Sequence, residues 1–243
     1  MKQGLFTILE NRKLTRDIYR MVLEGDTSEI KVPGQFVNIA LNGFYLRRPI
    51  SVCDWKSGEL VLLYKVVGRG TAFMAALPPG AQLDLLTGLG NGFDMNKCGS
   101  APVLIGGGVG IPPLYALAKG LLARGKRVSV ILGFNSEEDA FYLQAFETLG
   151  VQLAVTSVDG SLGVQGLVTD ALRLISADYL YTCGPEPMLR ALYENTELPG
   201  QFSFEERMGC GFGACMGCSC ETKYGSKRIC KEGPVLEREE ILW

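Results

Sequence analysis

Histidine is absent from all 243 residues. That absence excludes a His-ligated zinc site, a Rieske-type cluster, a histidine triad and a histidine general base. An excess of charge is missing too: 24 basic and 26 acidic residues leave a formal net charge of −2. Such a balance offers no electrostatic footprint for nucleic acid or for an anionic membrane face. Long apolar runs are lacking as well, none reaching the roughly 18 residues of a membrane span. The opening residues, Met1-Lys-Gln-Gly-Leu-Phe6, have no apolar core of the secretory kind. The expectation is therefore a reducing, cytoplasmic setting. There is no internal repeat and no low-complexity tract.

What the chain has is glycine, 31 residues, and cysteine, 8 residues, each clustered. Cys210, Cys215, Cys218 and Cys230 read C-x4-C-x2-C-x11-C. The first three follow the plant-type [2Fe–2S] spacing, and the fourth closes the site from a short loop. Soft thiolate ligands suit iron in such clusters. Gly209 precedes the first of them and Gly211, Gly213 and Gly217 lie between them, where backbone has to wrap tightly and aim N–H groups at sulfur. Zinc is the alternative, although structural zinc sites usually bring two close pairs separated by a longer loop. A disulfide knot suits small secreted chains instead. Cys220 is a fifth sulfur in the segment and an alternative ligand to Cys218.

The first 98 residues carry short strand signals broken by turns. Gln35–Leu41 alternates after a Pro33-Gly34 turn, Leu60–Val67 is apolar on both faces, and Leu83–Leu86 follows Pro78-Pro79-Gly80. This spacing predicts an antiparallel β-barrel. From about residue 99 the pattern changes to strands alternating with helices: Ala101–Ile105, a helix after Pro112-Pro113, Arg127–Leu132, a helix Asp139–Leu149, Val151–Thr156, a helix Val168–Ile175, Tyr179–Cys183 and a helix from about Glu186 to Glu194. That order predicts a doubly wound parallel sheet. The expected domains are 1–98, 99–201 and a cysteine-bearing 202–243.

Three loops carry chemistry in this arrangement. Gly106-Gly107-Gly108-Val109-Gly110 sits between a strand and a helix, the context in which small residues let a phosphate approach helix amides. Its spacing is not the strict G-x-G-x-x-G, and a plain tight turn is the alternative. Cys183-Gly184-Pro185 ends another strand on the same sheet edge and would form the second wall of one crevice. Gly133–Asp139 is acidic without Lys or Arg, which favours NAD over NADP, as would a solvated acidic loop with no binding role. In the barrel, Arg47-Arg48-Pro49-Ile50-Ser51 ends a strand-like run in which Arg48 and Ser51 can grip a pyrophosphate, and Gly68-Arg-Gly-Thr71 precedes a short helix; a surface salt bridge is the alternative for either arginine.

Taken together and in this order, these pieces resemble the ferredoxin–NADP reductase superfamily. Arg48-Pro49-Ile50-Ser51 is similar to its flavin motif, with Ile50 where an aromatic is commoner. Leu46–Ser51, Tyr64-Lys65, Gly68–Thr71, Glu206-Arg-Met208 and the cysteine segment narrow the resemblance to the electron-transfer subunits of type B dihydroorotate dehydrogenases, over essentially the whole chain. The resemblance implies FAD contacts from Arg48, Pro49, Ile50, Ser51, Leu63, Tyr64, Lys65, Gly70 and Thr71. It implies NAD contacts from Gly106, Gly107, Gly108, Gly110, Cys183, Gly184 and Pro185, and a [2Fe–2S] cluster on the four cysteines. It further implies an FMN-containing catalytic partner that oxidises dihydroorotate to orotate, with two copies of each subunit in a heterotetramer. Related flavin–cluster subunits serve hydrogenases, sulfite reductases and ferredoxin–NADP reductases, so partner identity is the open alternative. A zinc-stabilised nucleotide sensor is the non-enzymatic one.

Overall fold

The computed structural model describes residues 1–243. Six antiparallel strands close into a barrel: β1 (Lys2–Lys13), β2 (Ile18–Glu24), β3 (Phe36–Ala40), β4 (Arg48–Lys56), β5 (Glu59–Lys65) and β6 (Gln82–Leu89). Their order around the barrel is β1-β2-β5-β4-β3-β6. Strand β6 shows the reason: Leu83, Leu85, Thr87 and Leu89 face inward while Gln82, Asp84, Leu86 and Gly88 are more exposed. Such period-two burial belongs to a sheet with one face on a core. The short helix α1 (Arg69–Ala75) follows β5.

A seven-stranded sheet follows, built from β7 (Pro102–Gly107), β8 (Ser129–Phe134), β9 (Gln152–Ser157), β10 (Val164–Gln165), β11 (Tyr179–Cys183), β12 (Gly200–Ser203) and, after a hairpin, a late strand at Val235–Glu237. Its order is β10-β9-β8-β7-β11-β12 and then the late strand. All pairs are parallel except the last, which is antiparallel to β12. Strands β7 and β11 are buried at every residue, as central parallel strands require. Helices α2 (Pro112–Leu122), α3 (Leu143–Thr148), α4 (Val168–Leu172) and α5 (Glu186–Asn195) connect them. Pro112 and Pro113 occupy the first turn of α2, where a missing N–H costs nothing. The cysteine segment adds the hairpin β13 (Ser219–Thr222) and β14 (Gly225–Arg228), so the late strand is β15. No helix is long and apolar enough to cross a membrane.

One apolar core runs through the junction of barrel and sheet. Ile18, Cys53, Val61 and Leu63 of the barrel pack with Leu114, Leu117 and Leu121 of α2. At the edge of that seam Lys119 of α2 meets Asp54 of β4 at 2.6 Å. A second core joins barrel residues Phe36 and Leu89 to Leu180, Phe202 and Leu236, and it includes Cys218 and Cys230.

Three features differ from the sequence reading. Arg48–Ser51 opens strand β4 rather than ending a strand-like run, because its partner β3 pairs Asn38 with Pro49 and Phe36 with Ser51. The helix expected at Asp139–Leu149 begins only at Leu143. Tyr142 stands at φ 64°, in the left-handed region, and a 3-10 turn takes Glu137–Asp139 instead. Packing outweighs helix propensity there: Phe141 is buried against Phe134, and the Tyr142 ring packs edge-on against Tyr115 at 5.1 Å. Third, β12 runs across residues 201 and 202, and β15 returns from the cysteine segment to the edge of the same sheet.

Leu236 on β15 is 2% exposed. Leu236→Ala is expected to lower stability by about 2–5 kcal/mol in chemical denaturation, the range for truncating a buried leucine. A loss below about 0.5 kcal/mol, the scale of an ordinary surface change, would mean that β15 adds nothing to the core.

Candidate functional site

Two clefts lie on the side where β7 and β11 end. The larger, about 530 Å³, is walled by the loops after β7, β8 and β11 and by the start of α4. The smaller, about 370 Å³, lies against the barrel and is lined by β4, β5 and residues 203–208. Both volumes fall in the range of small-molecule and cofactor sites. Lys65 and Val109 line both clefts, so the two are contiguous.

The larger cleft depends on missing side chains. A Cβ on Gly110 would overlap the Cys183 carbonyl, which is how the loop after β7 comes to touch the loop after β11. A Cβ on Gly107 would meet the Met188 sulfur at 2.7 Å, and one on Gly106 would meet Leu114 at 2.8 Å. Gly108, at φ 52°, opens onto the cleft with nothing near its Cβ position. Of the sequence-predicted residues, Gly107, Gly108 and Pro185 line this cleft, Gly106, Gly110 and Gly184 form the tight backing behind it, and Cys183 faces the smaller cleft. Burial, then the charge of Glu205, pushes the Cys183 thiol up to about 12, so it stays protonated at neutral pH.

Asn135 and Asp139 line the far wall, whereas Glu137 and Glu138 do not. The only cations lining the cleft are Arg16 and Lys65, on the barrel side, and Lys65 pairs with Asp17 at 3.2 Å. Sequence reasoning missed Thr156, Val158 and Leu167, which complete the far wall. The Thr156 hydroxyl is buried with no partner. Its signal was present, a hydroxyl at the C-terminal end of a parallel strand, where open sheets take their ligands.

The smaller cleft gathers Arg48, Pro49, Ile50, Ser51, Leu63, Tyr64, Lys65 and Thr71. Gly70 lies behind Arg48, close enough that a Cβ would overlap its guanidinium. Arg48 rests over the Phe44 ring at 4.8 Å and has no carboxylate partner. A guanidinium without a counter-ion at the rim of a cleft fits a diphosphate. Thr71 Oγ1 accepts the Val67 N–H at 2.9 Å and so fixes the turn into α1. Phe36, Phe204, Glu205 and Met208 complete the walls. The sequence reading had singled out Met208 only as part of a motif.

The thiols come in two pairs. Cys210 Sγ accepts N–H groups of Ala214 at 3.2 Å and of Cys215 at 3.4 Å, and Cys215 Sγ accepts the Cys210 N–H at 3.4 Å. Separately, Cys218 Sγ accepts the Cys230 N–H at 3.4 Å. Burial acts against ionising Cys210, yet the amides of Phe212, Cys215 and Ala214 outweigh it and hold the thiol down at about 6. Left-handed backbone at Gly211, Gly213 and Met216 makes the wrapping. No three potential ligands converge on one point, as a single metal ion would require. The four thiols thus come as two pairs, an arrangement that would suit the two irons of a [2Fe–2S] cluster. Cys220 stands outside both pairs, on β13.

An antiparallel barrel, a parallel sheet and contiguous clefts, with paired thiols alongside, define a flavin- and nicotinamide-linked reductase of the electron-transfer class. Comparisons agree. Residues 104–194 match the oxidoreductase NAD-binding domain, and residues 205–242 match the iron–sulfur cluster binding domain of dihydroorotate dehydrogenase B. The dihydroorotate dehydrogenase B (NAD(+)) electron transfer subunit of Geobacillus sp. (strain WCH70) is 41% identical, covering 100% of this chain and 99% of the relative. That of Fusobacterium nucleatum subsp. nucleatum is 40% identical, covering 97% and 96%. Among solved structures, an NADH-dependent reduced ferredoxin–NADP oxidoreductase studied for flavin-based electron bifurcation has a TM-score of 0.90 at 30% identity, covering 99% of this chain and 90% of that one. A ferredoxin NADP+ reductase from Neisseria gonorrhoeae with bound FAD and NADP shares the fold, with a TM-score of 0.71 at 16% identity over 80% of this chain and 90% of that one. The chain belongs to the family of dihydroorotate dehydrogenase B electron-transfer subunits.

Gly110→Ala is expected to force the two loops apart. The extra methyl should cost about 1–3 kcal/mol of stability, as overpacking does. NAD(H) binding, followed by fluorescence titration, should weaken by at least about tenfold, equivalent to about 1.4 kcal/mol. Wild-type affinity and stability would show that the contact is not needed.

Proposed function

We propose that this chain passes electrons from a catalytic partner subunit through a [2Fe–2S] cluster and FAD to NAD⁺, as dihydroorotate is oxidised to orotate in pyrimidine biosynthesis. The observation that carries this reading is that two contiguous cofactor clefts and two thiol pairs belong to one chain. A bound flavin exchanges a hydride with nicotinamide and single electrons with an iron centre, which is why it stands between them. The chain itself supplies binding and orientation. Arg48 and Ser51 hold the FAD diphosphate, with Pro49, Ile50, Leu63, Tyr64, Lys65, Gly70 and Thr71 shaping the cleft. Gly106, Gly107, Gly108 and Gly110 let the NAD pyrophosphate approach backbone. Cys183, Gly184 and Pro185 close the nicotinamide end, where the Cys183 thiol stays protonated and adds no further charge beside Lys65 and Glu205. Cys210, Cys215, Cys218 and Cys230 hold the cluster.

The partner in this reading contains FMN and supplies the chemistry on dihydroorotate, with two copies of each subunit in the assembly. The chain's three functional units are residues 1–98 for FAD, 99–201 for NAD and 202–243 for the cluster, with β15 returning from the third to the sheet of the second.

Copurification with the partner is expected to give dihydroorotate-dependent NADH formation. Cys215→Ala should abolish that transfer and the iron content while FAD absorption persists. Undiminished transfer in the iron-free variant would defeat the proposed electron route. Recovery of a hydrogenase or a sulfite reductase in place of the dihydroorotate-oxidising subunit would reassign the partner.

A further inference from the structure

Two asparagines of the barrel end reach the cysteine segment, one near each end of it. Asn38 on β3 is 1% exposed. It shares its strand face with Phe36, which lines the flavin cleft. Its Nδ2 donates to the Cys210 carbonyl at 3.0 Å, the one hydrogen bond from the barrel to residues 205–222. Gly211, at φ 79°, lies so close over the carboxamide that a Cβ would overlap it. Behind it, the Asn38 carbonyl accepts from Arg47 at 3.2 Å, and Arg47 pairs with Asp84 at 3.0 Å. Asn91, just beyond β6, donates to the carbonyls of Glu232 and Val235 at 3.0 and 2.7 Å. Its Oδ1 accepts the Val235 N–H at 3.1 Å, and its own N–H donates to Gly233 at 2.7 Å.

We propose that Asn38 and Asn91 form a two-point clamp that holds the cysteine segment against the flavin-facing side of the barrel, with Asn38 the positioning residue for Cys210. Electron exchange falls steeply with separation, so a segment carrying one centre has to be fixed to the scaffold carrying the other. Packing alone does not account for an amide at position 38. Its Oδ1 is buried with no partner, a state that costs stability and that a leucine of similar shape would avoid. The Nδ2 donor, by contrast, is spent on the backbone of a cluster-ligand cysteine. Groups that hydrogen-bond to a ligand fix its orientation and tune its metal, and losing one typically costs about 10- to 100-fold in metal affinity.

The proposal rests on the reading of Cys210 as an iron ligand. Its test uses the purified holoprotein with Asn38→Leu, which removes the donor, and Asn38→Asp, which keeps the shape but turns an acceptor toward the carbonyl. Both variants should release iron to a chelator about 10- to 100-fold faster. The reduced cluster should show altered EPR g values and a shifted midpoint potential, with FAD content unchanged. Asn91→Ala should also speed iron release. Wild-type EPR, potential and release rate in both Asn38 variants would overturn the clamp. So would iron loss tracking a lower melting temperature while the remaining cluster keeps its wild-type spectrum, since Asn38 would then be structural only. An iron-free wild-type protein would overturn the ligand reading and the clamp with it, whereas failure of the clamp alone leaves wild-type iron in place.

Discussion

Backbone lies against backbone where Gly110 meets the carbonyl of Cys183, with no room for a Cβ between them. Any side chain at Gly110 would wedge the loops after β7 and β11 apart. Without one, two neighbouring parallel strands deliver their loops to a single point. Val109 and Cys183 thereby reach the wall of the barrel cleft, and the two clefts become one continuous space. The seam of α2 on β4 holds that alignment from behind, with leucines inside and the Lys119–Asp54 pair at its edge. The ion pair is half-exposed and contributes little, so burial of the leucines is what keeps the two folding units in register.

The cysteine segment follows a different logic. Most of its backbone has no regular partner, and its order comes from N–H groups aimed at sulfur and from left-handed turns. The two pairs also differ in surroundings. Cys215 is exposed and Cys210 half-buried, whereas Cys218 and Cys230 sit inside the apolar core beside Ile229. Amides favour negative charge on Cys210, and burial disfavours it on Cys230. A cluster held by all four would meet solvent on one side and protein on the other.

Much of this was legible from residue order, because it rests on local rules. Alternation in β6, continuous apolar runs in β7 and β11 and prolines at the start of α2 each report their own environment. Glycines between cysteines announce a wrapped loop wherever they occur. What escaped was long-range. Nothing local marks Val235–Glu237 as a sheet edge, since its partner lies more than thirty residues earlier. The helix expected over Asp139–Leu149 starts only at Leu143 because Phe141 packs on Phe134 and Tyr142 on Tyr115, an effect that propensity does not contain. Thr156 and Phe204 line the clefts only because of where distant strands end. Asn38 reads as an ordinary polar position in an alternating strand until Cys210 is found beside it.

The return of β15 to the sheet has a consequence for maturation. Cys230 lies between β14 and β15, and both it and Cys218 are only 2% exposed. Iron arriving at the folded chain would therefore meet Cys215 and Cys210 first, and would reach Cys218 and Cys230 only when the chain around them opens.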